Sequence, residues 1–505
     1  MIESAPILAV VLPLFAAFLT TPIGILARRL RMERARDWFA VAAMAATFAI
    51  VASMAPAVRG SGIFVYKLGG WSPPWGINLV VDGLSLLMAL IIAGICFLVA
   101  IYSITYMQRR SGLDQYYTLL LLITAGMMGV SLTGDIFNFY VFLEIMCIST
   151  YALVAFDREW ESIEASVKYL IIGSVGTSLL LLGIVLVYGC FGSLNIADLM
   201  IKLKTVESTG SMPIILVLAL SLFVTGFCVK AAVVPMHAWL ADAHPAAPTS
   251  ISALLSGVFV TIGAYGMLRL VYAMFGTLAI GSLLVGLGLA SMLIGALMAL
   301  AQRDIKRLIA YSTVSQMGYI FFGIGLGTTT GIQGGLFHLL NNAIMKALLF
   351  MCAGAIIHRT GRRELDEMGG LGKNMPITTV AFAVGALATA GVPPLNGFAS
   401  KWMLYMAGVE AGGPYLFAVA MAVLVSVLTL AYLAKAFASV FLGQRPRYLE
   451  NVKEVPALML FPICLLAALC VVLGILPQLG IAIARPAQEA VMQIDSYVKS
   501  VLGGA

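Results

Sequence analysis

The hydrophobic positions of this chain fall into long apolar runs that are separated by short polar turns. A helix that spans a bilayer needs about 20 apolar residues, and most of these runs reach that length. We therefore predict an all-α polytopic membrane protein with about fourteen transmembrane helices. The predicted cores are residues 5–27, 38–58, 79–106, 116–133, 136–156, 166–190, 213–240, 249–274, 278–300, 308–328, 331–357, 375–410, 414–441 and 456–479.

Two stretches outside these cores carry their own pattern. Residues 59–78 combine glycine and proline with Trp71 and Trp75, which predicts an external loop or hairpin with its tryptophans at the membrane interface. Residues 484–502 are modestly amphipathic, which predicts a helix that lies on the outer surface.

The composition agrees with a membrane protein. Of the 505 residues, 61% are hydrophobic and 10% are charged, whereas soluble domains carry about 25% charged residues. The net charge of +7 does not indicate nucleic-acid binding, because the basic residues concentrate in the odd-numbered turns between apolar runs. This places the odd turns in the cytoplasm and both termini outside. These residues are Arg28, Arg29, Arg31, Arg34, Arg36, Arg109, Arg110, Arg158, Arg303, Lys306, Arg307, Arg359, Arg362, Arg363, Lys373, Arg445, Arg447 and Lys453.

The first run is too long for the core of a signal peptide and lacks a basic segment before it, so we expect a retained span. No transit peptide is visible, which favours a prokaryotic inner membrane.

The sequence predicts no redox cofactor, metal or nucleotide site. The seven cysteines lie in apolar segments without a CxxC pair, so we expect small buried hydrophobic residues rather than disulfides or cluster ligands. His237 and His244 have a spacing that fits no compact metal site. The chain thus has no redox site of its own, and whether it belongs to an enzyme complex stays open.

Two predicted spans are interrupted. The seventh contains Pro235 and the twelfth contains the segment Gly391–Gly397, with Lys230 just before the first break and Lys401 just after the second. The breaks are five helices apart, so two five-helix units are inverted relative to each other, an arrangement typical of transport sites. We predict a three-helix region at 1–112, repeats at 113–274 and 275–442, and a final helix with an amphipathic tail at 443–505.

Glu144 and Lys230 are charges at membrane depth. Glu144 lies nine residues beyond Asp135, about 13 Å into its span, whereas Asp135 itself is expected to cap the helix. Such charges mark ion paths more often than structural pairs, although a static salt bridge is the alternative. We predict that Glu144 pairs with Lys230 and that separating the two lets the lysine release a proton.

A second polar set lies further along the chain. His338, Asn342 and Lys346 follow each other at intervals of four residues, so they share one helix face. Imidazole titrates near neutral pH, which favours a proton relay over a buried structural histidine. Lys401 lies inside a long span and is predicted to take part, the alternative being a side chain that reaches toward the interface.

Secondary polar positions are predicted around these groups. His244 lies in the proline-rich segment between the seventh and eighth spans, residues 241–248, which we call the elbow. It is expected to offer a hydrogen bond at the cytoplasmic mouth of the path. Ser315 belongs to a polar series that enters the tenth helix, which suggests a hydrated or tightly packed helix. Arg303, Lys306 and Arg307 before it are interpreted as anchors on the positive side. Glu164 and Lys168 are spaced as a local helix pair.

Taken together, these motifs resemble the antiporter-like membrane subunits shared by Mrp-type cation/proton antiporters, group 4 membrane-bound hydrogenases and complex I. The run Asp135–Glu144 is most similar to the Mrp and hydrogenase branch. The matching stretches are Gly134–Tyr151, Lys230–Thr249, Gln302–Gly318, His338–Phe350 and Gly391–Lys401.

The resemblance implies the fourteen-helix fold with its inverted repeat and assigns roles to single residues. Glu144 and Lys230 correspond to the family's helix-five glutamate and helix-seven lysine, and His338 and Lys401 to its central and exit-side relay groups. The sequence departs from the pattern at Thr261, where many relatives carry a lysine. This leaves a gap in the predicted path between Lys230 and His338. Three alternatives are open: water bridges the gap, the chain conducts poorly, or ions pass through a neighbouring subunit.

The resemblance therefore implies a subunit that translocates protons, with Na⁺ as an open alternative. It also implies that the subunit works in the lipid bilayer beside other membrane subunits, including further antiporter-like ones. The open choice is a ferredoxin-driven hydrogenase or related oxidoreductase against an Mrp-type Na⁺/H⁺ antiporter. A complex I pumping subunit and a non-conducting scaffold are the alternatives.

Overall fold

The computed structural model describes residues 3–32, 34–208, 210, 212–276 and 280–503. Eleven continuous helices within these ranges are long and apolar enough to cross a membrane. They are Ala5–Arg29, Ala35–Gly60, Gly83–Tyr106, Leu113–Leu132, Ile136–Val154, Trp160–Phe191, Thr249–Phe275, Gly281–Ala301, Thr329–Thr360, Tyr415–Phe441 and Ala457–Ile475.

Helices also lie at the three remaining predicted spans. The tenth is the helix Ile305–Leu326, whose first turns are polar. The seventh consists of Ile214–Lys230 and Ala238–Ala246, and the twelfth of Pro376–Ala390 and Asn396–Ala411. The all-α membrane fold and both broken helices are thus confirmed. Positions 278 and 279 of the predicted ninth core lie outside the described residues, and the helix is described from Gly281.

Both breaks have the same backbone cause. The first half-helix of span seven is followed by Ala232 with φ +52°, and that of span twelve by Gly391 with φ +84°. A left-handed residue turns the chain out of the helix, and the backbone N–H groups of Val233 and Val392 then bond back to the last turn, at Cys228 O and Leu387 O. The prolines that follow have no N–H with which to continue the helix.

The segment after the second span is a hairpin, as predicted. Strands Phe64–Lys67 and Asn78–Val81 pair antiparallel, with Val65 opposite Val80. Trp71 and Trp75 between them are exposed.

The end of the chain differs from the single predicted tail helix. It forms two helices, Pro477–Met492 and Ile494–Leu502. The second helix is held by Tyr497, whose ring lies 5.2 Å from the Arg269 guanidinium. Arg269 also forms a buried ion pair with Asp82 at 2.6 Å, so the tail is attached to the membrane domain.

Several short elements join or interrupt the spans. A helix that was not predicted, Ile196–Glu207, connects spans six and seven. The eighth span contains the π-helical segments Leu255–Phe259 and Met267–Tyr272. Short 3-10 helices lie at Leu68–Gly70, Leu365–Glu367, Leu371–Lys373 and Arg447–Leu449.

Two local expectations have different outcomes. The predicted cap is confirmed, since the Asp135 carboxylate accepts a 2.7 Å hydrogen bond from Asn138 N. The expectation that every cysteine is buried is wrong for Cys190 and Cys464, which are exposed. Both lie on outward faces of apolar spans, and an apolar residue on such a face needs no burial in a membrane protein.

Candidate functional site

Lys230 is the last residue of the first half of span seven, and it is 1% exposed. Its ammonium donates a 2.9 Å hydrogen bond to Gly173 O in span six and lies 3.3 Å from Cys147 Sγ in span five. Gly173 leaves room for the side chain of Tyr151, since a Cβ there would lie 2.2 Å from the tyrosine hydroxyl. The lysine is thus held by neutral groups of two neighbouring spans.

Glu144 does not pair directly with Lys230, and this part of the prediction is wrong. The ion pairs found in the described parts of the chain do not include this carboxylate, because Cys147, one turn further along the helix, occupies the position against the ammonium. Glu144 is half-buried and shares a helix face with Phe137, Val141 and Ile148, all exposed. The carboxylate therefore lies toward the outside of the chain.

Lys401 is enclosed in a different way. Its ammonium donates to Thr389 O at 2.9 Å and to Ser426 Oγ at 3.1 Å, with Ala390 O at 3.4 Å. The two carbonyls end the first half of span twelve, where a cation is favoured by the helix dipole. The ammonium also lies 4.3 Å from the centre of the Tyr319 ring, within the range of a cation–π contact.

His338 lies next to this group. Its Nδ1 is 2.9 Å from Ser400 Oγ, one residue before Lys401, and its ring is 5.6 Å from that of Tyr319. Nε2 has no hydrogen-bond partner among the described residues. Tyr319 therefore contacts both His338 and Lys401, the two residues that are predicted to act as relay groups.

Spans ten and eleven face each other with matching polar stripes. His338, Asn342 and Lys346 are fully buried, and Lys346 donates to Ser312 Oγ of span ten. The side-chain amides of Asn342 and Gln316 are also buried, and neither has a partner within the described ranges. The stripe predicted on span eleven thus meets a second one on span ten that carries Ser312, Gln316 and Tyr319.

The elbow after Lys230 is held to span ten by hydrogen bonds from Lys306. His244 is buried with its ring 5.3 Å from that of Phe350, and Lys306 donates to Pro245 O at 2.9 Å and Ala247 O at 2.5 Å. Lys306 is 4% exposed, so its interpretation as a surface anchor is wrong. It satisfies carbonyls at the end of Ala238–Ala246 instead.

Polar residues at the surface of this elbow form an ion-pair network. Asp242 contacts Lys168 at 3.3 Å and Arg307 at 3.2 Å. The predicted local pair is confirmed, with Lys168 Nζ 2.8 Å from the Glu164 carboxylate.

Thr261 and Ser315 are buried but do not join the polar stripes. Each hydroxyl donates to a backbone carbonyl, Thr261 to Val258 O at 2.6 Å and Ser315 to Met292 O at 3.1 Å. Spans eight and ten are connected instead through Ser256 and Thr313, whose hydroxyls are 2.6 Å apart.

Sequence reasoning missed Cys147, Tyr319, Ser400 and Ser426 as contacts of the buried charges. A signal existed for Tyr319, because Ser312, Gln316 and Tyr319 follow each other at helical intervals of four and three. Ser426 carries no such signal, because it belongs to a distant span.

The chain matches two models of known protein families. Residues 133–429 match the family model described as NADH:quinone oxidoreductase/Mrp antiporter, TM. Residues 69–117 match the model described as NADH-Ubiquinone oxidoreductase (complex I), chain 5 N-terminus.

Individual relatives cover nearly the whole chain. NADH-quinone oxidoreductase subunit N of Desulforudis audaxviator is 37% identical over 93% of this chain and 95% of its own. A Na⁺/H⁺ antiporter subunit of Alkalihalophilus pseudofirmus is 32% identical over 98% and 99%. A chain in the structure of the membrane-bound sulfane sulfur reductase, an archaeal respiratory membrane complex, is 32% identical with a TM-score of 0.90, over 99% of this chain and 100% of its own.

Proposed function

The chain belongs to the NADH:quinone oxidoreductase/Mrp antiporter family of membrane proteins, and from this premise we propose that it translocates protons within a multi-subunit membrane complex. The proposed path begins at Lys230 near the elbow, continues through Lys346 and His338, and leaves past Lys401. Protons are preferred over Na⁺ because the lysine ammonium groups themselves occupy the hydroxyl, thiol and carbonyl partners around them, and the described residues include no cluster of carboxylates that could hold a metal cation.

One observation carries this proposal: the pair of polar stripes on spans ten and eleven. Buried amides and imidazole nitrogens without partners are costly, and native proteins satisfy nearly all of them. Asn342, Gln316 and His338 all keep such atoms between Lys346 and Lys401. A proton path needs polar groups that are free to exchange partners, which supports a hydrated route here.

We propose that Glu144 acts through a neighbouring subunit. A half-buried carboxylate on a lipid-facing surface is expensive, and its helix face offers exposed apolar side chains for packing. An adjacent membrane subunit that pairs the carboxylate with a basic or hydrogen-bond-donating group removes this cost. The neighbour then influences Lys230 through Cys147, which follows Glu144 by one turn.

The membrane context is part of the proposal. The basic odd turns favour a prokaryotic inner membrane with both termini outside, which reporter fusions in the odd and even turns test directly. The assembly is either a ferredoxin-driven hydrogenase or related oxidoreductase, or an Mrp-type antiporter, with complex I as the alternative. Co-purifying iron–sulfur and nickel proteins identify the oxidoreductase.

A scaffold without a conducting path is the second candidate. Its support is Thr261, where the hydroxyl is engaged with its own helix and offers no ionisable group between the halves of the chain.

The deciding experiment is Lys230→Ala, measured as proton uptake into vesicles that contain the assembled complex. We expect uptake to fall to the background of vesicles without the protein while assembly is kept. Lys453→Ala, which removes an exposed lysine, is the matched control and retains transport. Normal pumping by Lys230→Ala would refute the assignment and favour the scaffold.

A further inference from the structure

A cavity of about 770 Å³ lies where span four begins and span five ends. Its lining combines the arginines Arg109, Arg110 and Arg158 with the apolar side chains of Leu119 and Ala152. This volume is in the range of sites that hold small molecules. None of these residues belongs to the proposed proton path.

The three arginines differ in whether an acidic side chain already neutralises their charge. Arg110 forms an ion pair with Asp157 and lies 5.5 Å from the Tyr106 ring centre. Arg109 and Arg158 are exposed, and the ion pairs of the described chain include neither. With Asp157 and Glu159 as the acidic lining residues, the cavity keeps a net positive charge.

The backbone of the cavity adds two further features. Ser111 and Gly112 line it immediately before the helix Leu113–Leu132, and that helix has no side-chain cap at Gly112. Uncapped N–H groups at a helix start attract anions. Arg158 has φ +56°, a strained conformation for a residue with a Cβ that recurs at binding sites.

We propose that this cavity binds the phosphate group of an anionic phospholipid. Guanidinium groups and a helix N-terminus are both suited to phosphate oxygens. The ends of two spans lie at the depth of lipid headgroups, where basic pockets between helices take anionic lipids. The apolar lining extends from Ala152 of span five to half-buried Leu119 of span four, which offers a surface for an acyl chain; free phosphate would leave this surface unused.

The test uses the full-length protein in nanodiscs that contain phosphatidylglycerol and phosphatidylcholine. Native mass spectrometry then measures which lipid the released protein retains. We expect selective retention of phosphatidylglycerol, reduced about five-fold for each arginine removed in the double variant Arg109→Gln, Arg158→Gln. The control Arg447→Gln, Lys453→Gln removes two exposed positive charges from another turn and keeps the selectivity.

Other outcomes would overturn the proposal. Equal retention of both lipids, or an unchanged preference in the double variant, means that the cavity is not a lipid site. Displacement of the lipid by millimolar inorganic phosphate would assign the arginines to free phosphate instead. A map of the assembled complex with a protein segment in the cavity would assign them to a partner subunit. Melting temperatures of both double variants exclude misfolding as the cause.

Discussion

The two broken helices use the same backbone device but hold their lysines differently. Lys230 ends its half-helix and reaches across to neighbouring spans, where it meets Gly173 O and Cys147. Lys401 follows its break and turns back onto the carbonyls of its own broken helix. It is further enclosed by Ser426 and the ring of Tyr319.

The two lysines therefore differ in how far their surroundings depend on a neighbouring subunit. The groups around Lys401 come from inside the chain and leave little for a partner to change. The carboxylate nearest to the Lys230 centre along span five, Glu144, lies on the outer face. We therefore propose that the first centre senses a neighbouring subunit and that the second passes on a proton at a fixed place.

The largest expected effect comes from replacing both lysines by arginine in separate variants. Arginine keeps the positive charge but does not release its proton near neutral pH. We therefore expect Lys230→Arg and Lys401→Arg each to reduce proton uptake by vesicles to background. The control Lys453→Arg is unaffected. Wild-type uptake by either arginine variant would mean that its lysine serves only as a fixed charge.

A smaller and more selective effect is expected for Glu144→Gln. In the assembled complex, proton uptake should fall about tenfold, the factor for roughly 1.4 kcal/mol of lost interaction. The melting temperature of the isolated chain should not fall, because the carboxylate has no ion-pair partner in the described chain that the substitution would remove. Lys401→Arg provides the contrast, since its loss does not depend on a neighbour. Normal uptake by the Glu144→Gln variant in the complex would argue against coupling through this face.

The smallest effects are expected at the residues that turn the backbone, and they have opposite signs. Gly391→Ala should destabilise the fold by about 1–2 kcal/mol, because φ is +84° and the new Cβ would lie 3.0 Å from Lys401 Cδ. Ala232→Gly should stabilise it by up to about 1 kcal/mol, because glycine adopts φ +52° without strain.

Unfolding titrations in mixed detergent micelles measure both changes. Gly443→Ala, at a positive φ in the thirteenth turn and with no atom within 4 Å of the added Cβ, serves as the control for backbone strain alone. If Gly391→Ala costs no more than Gly443→Ala, the break at span twelve does not depend on the space beside Lys401.

Much of the architecture could be predicted from local pattern. Apolar length defined the spans, and Pro235 and Gly391 marked the breaks, because a membrane helix must satisfy its own backbone and deviates only at such residues. The stripe of His338, Asn342 and Lys346 followed from helical periodicity alone. Each of these features depends on residues that are close in sequence.

What the sequence by itself determined was therefore where the chain crosses the membrane, where two helices break, and which charges lie at depth. Tertiary structure alone decided what those charges touch. It placed Cys147 rather than Glu144 against Lys230, buried Lys306 under the elbow, and brought Tyr319 and Ser426 to Lys401. The physical reason is that such contacts depend on the rotation and distance between packed helices, which periodicity within one helix does not specify.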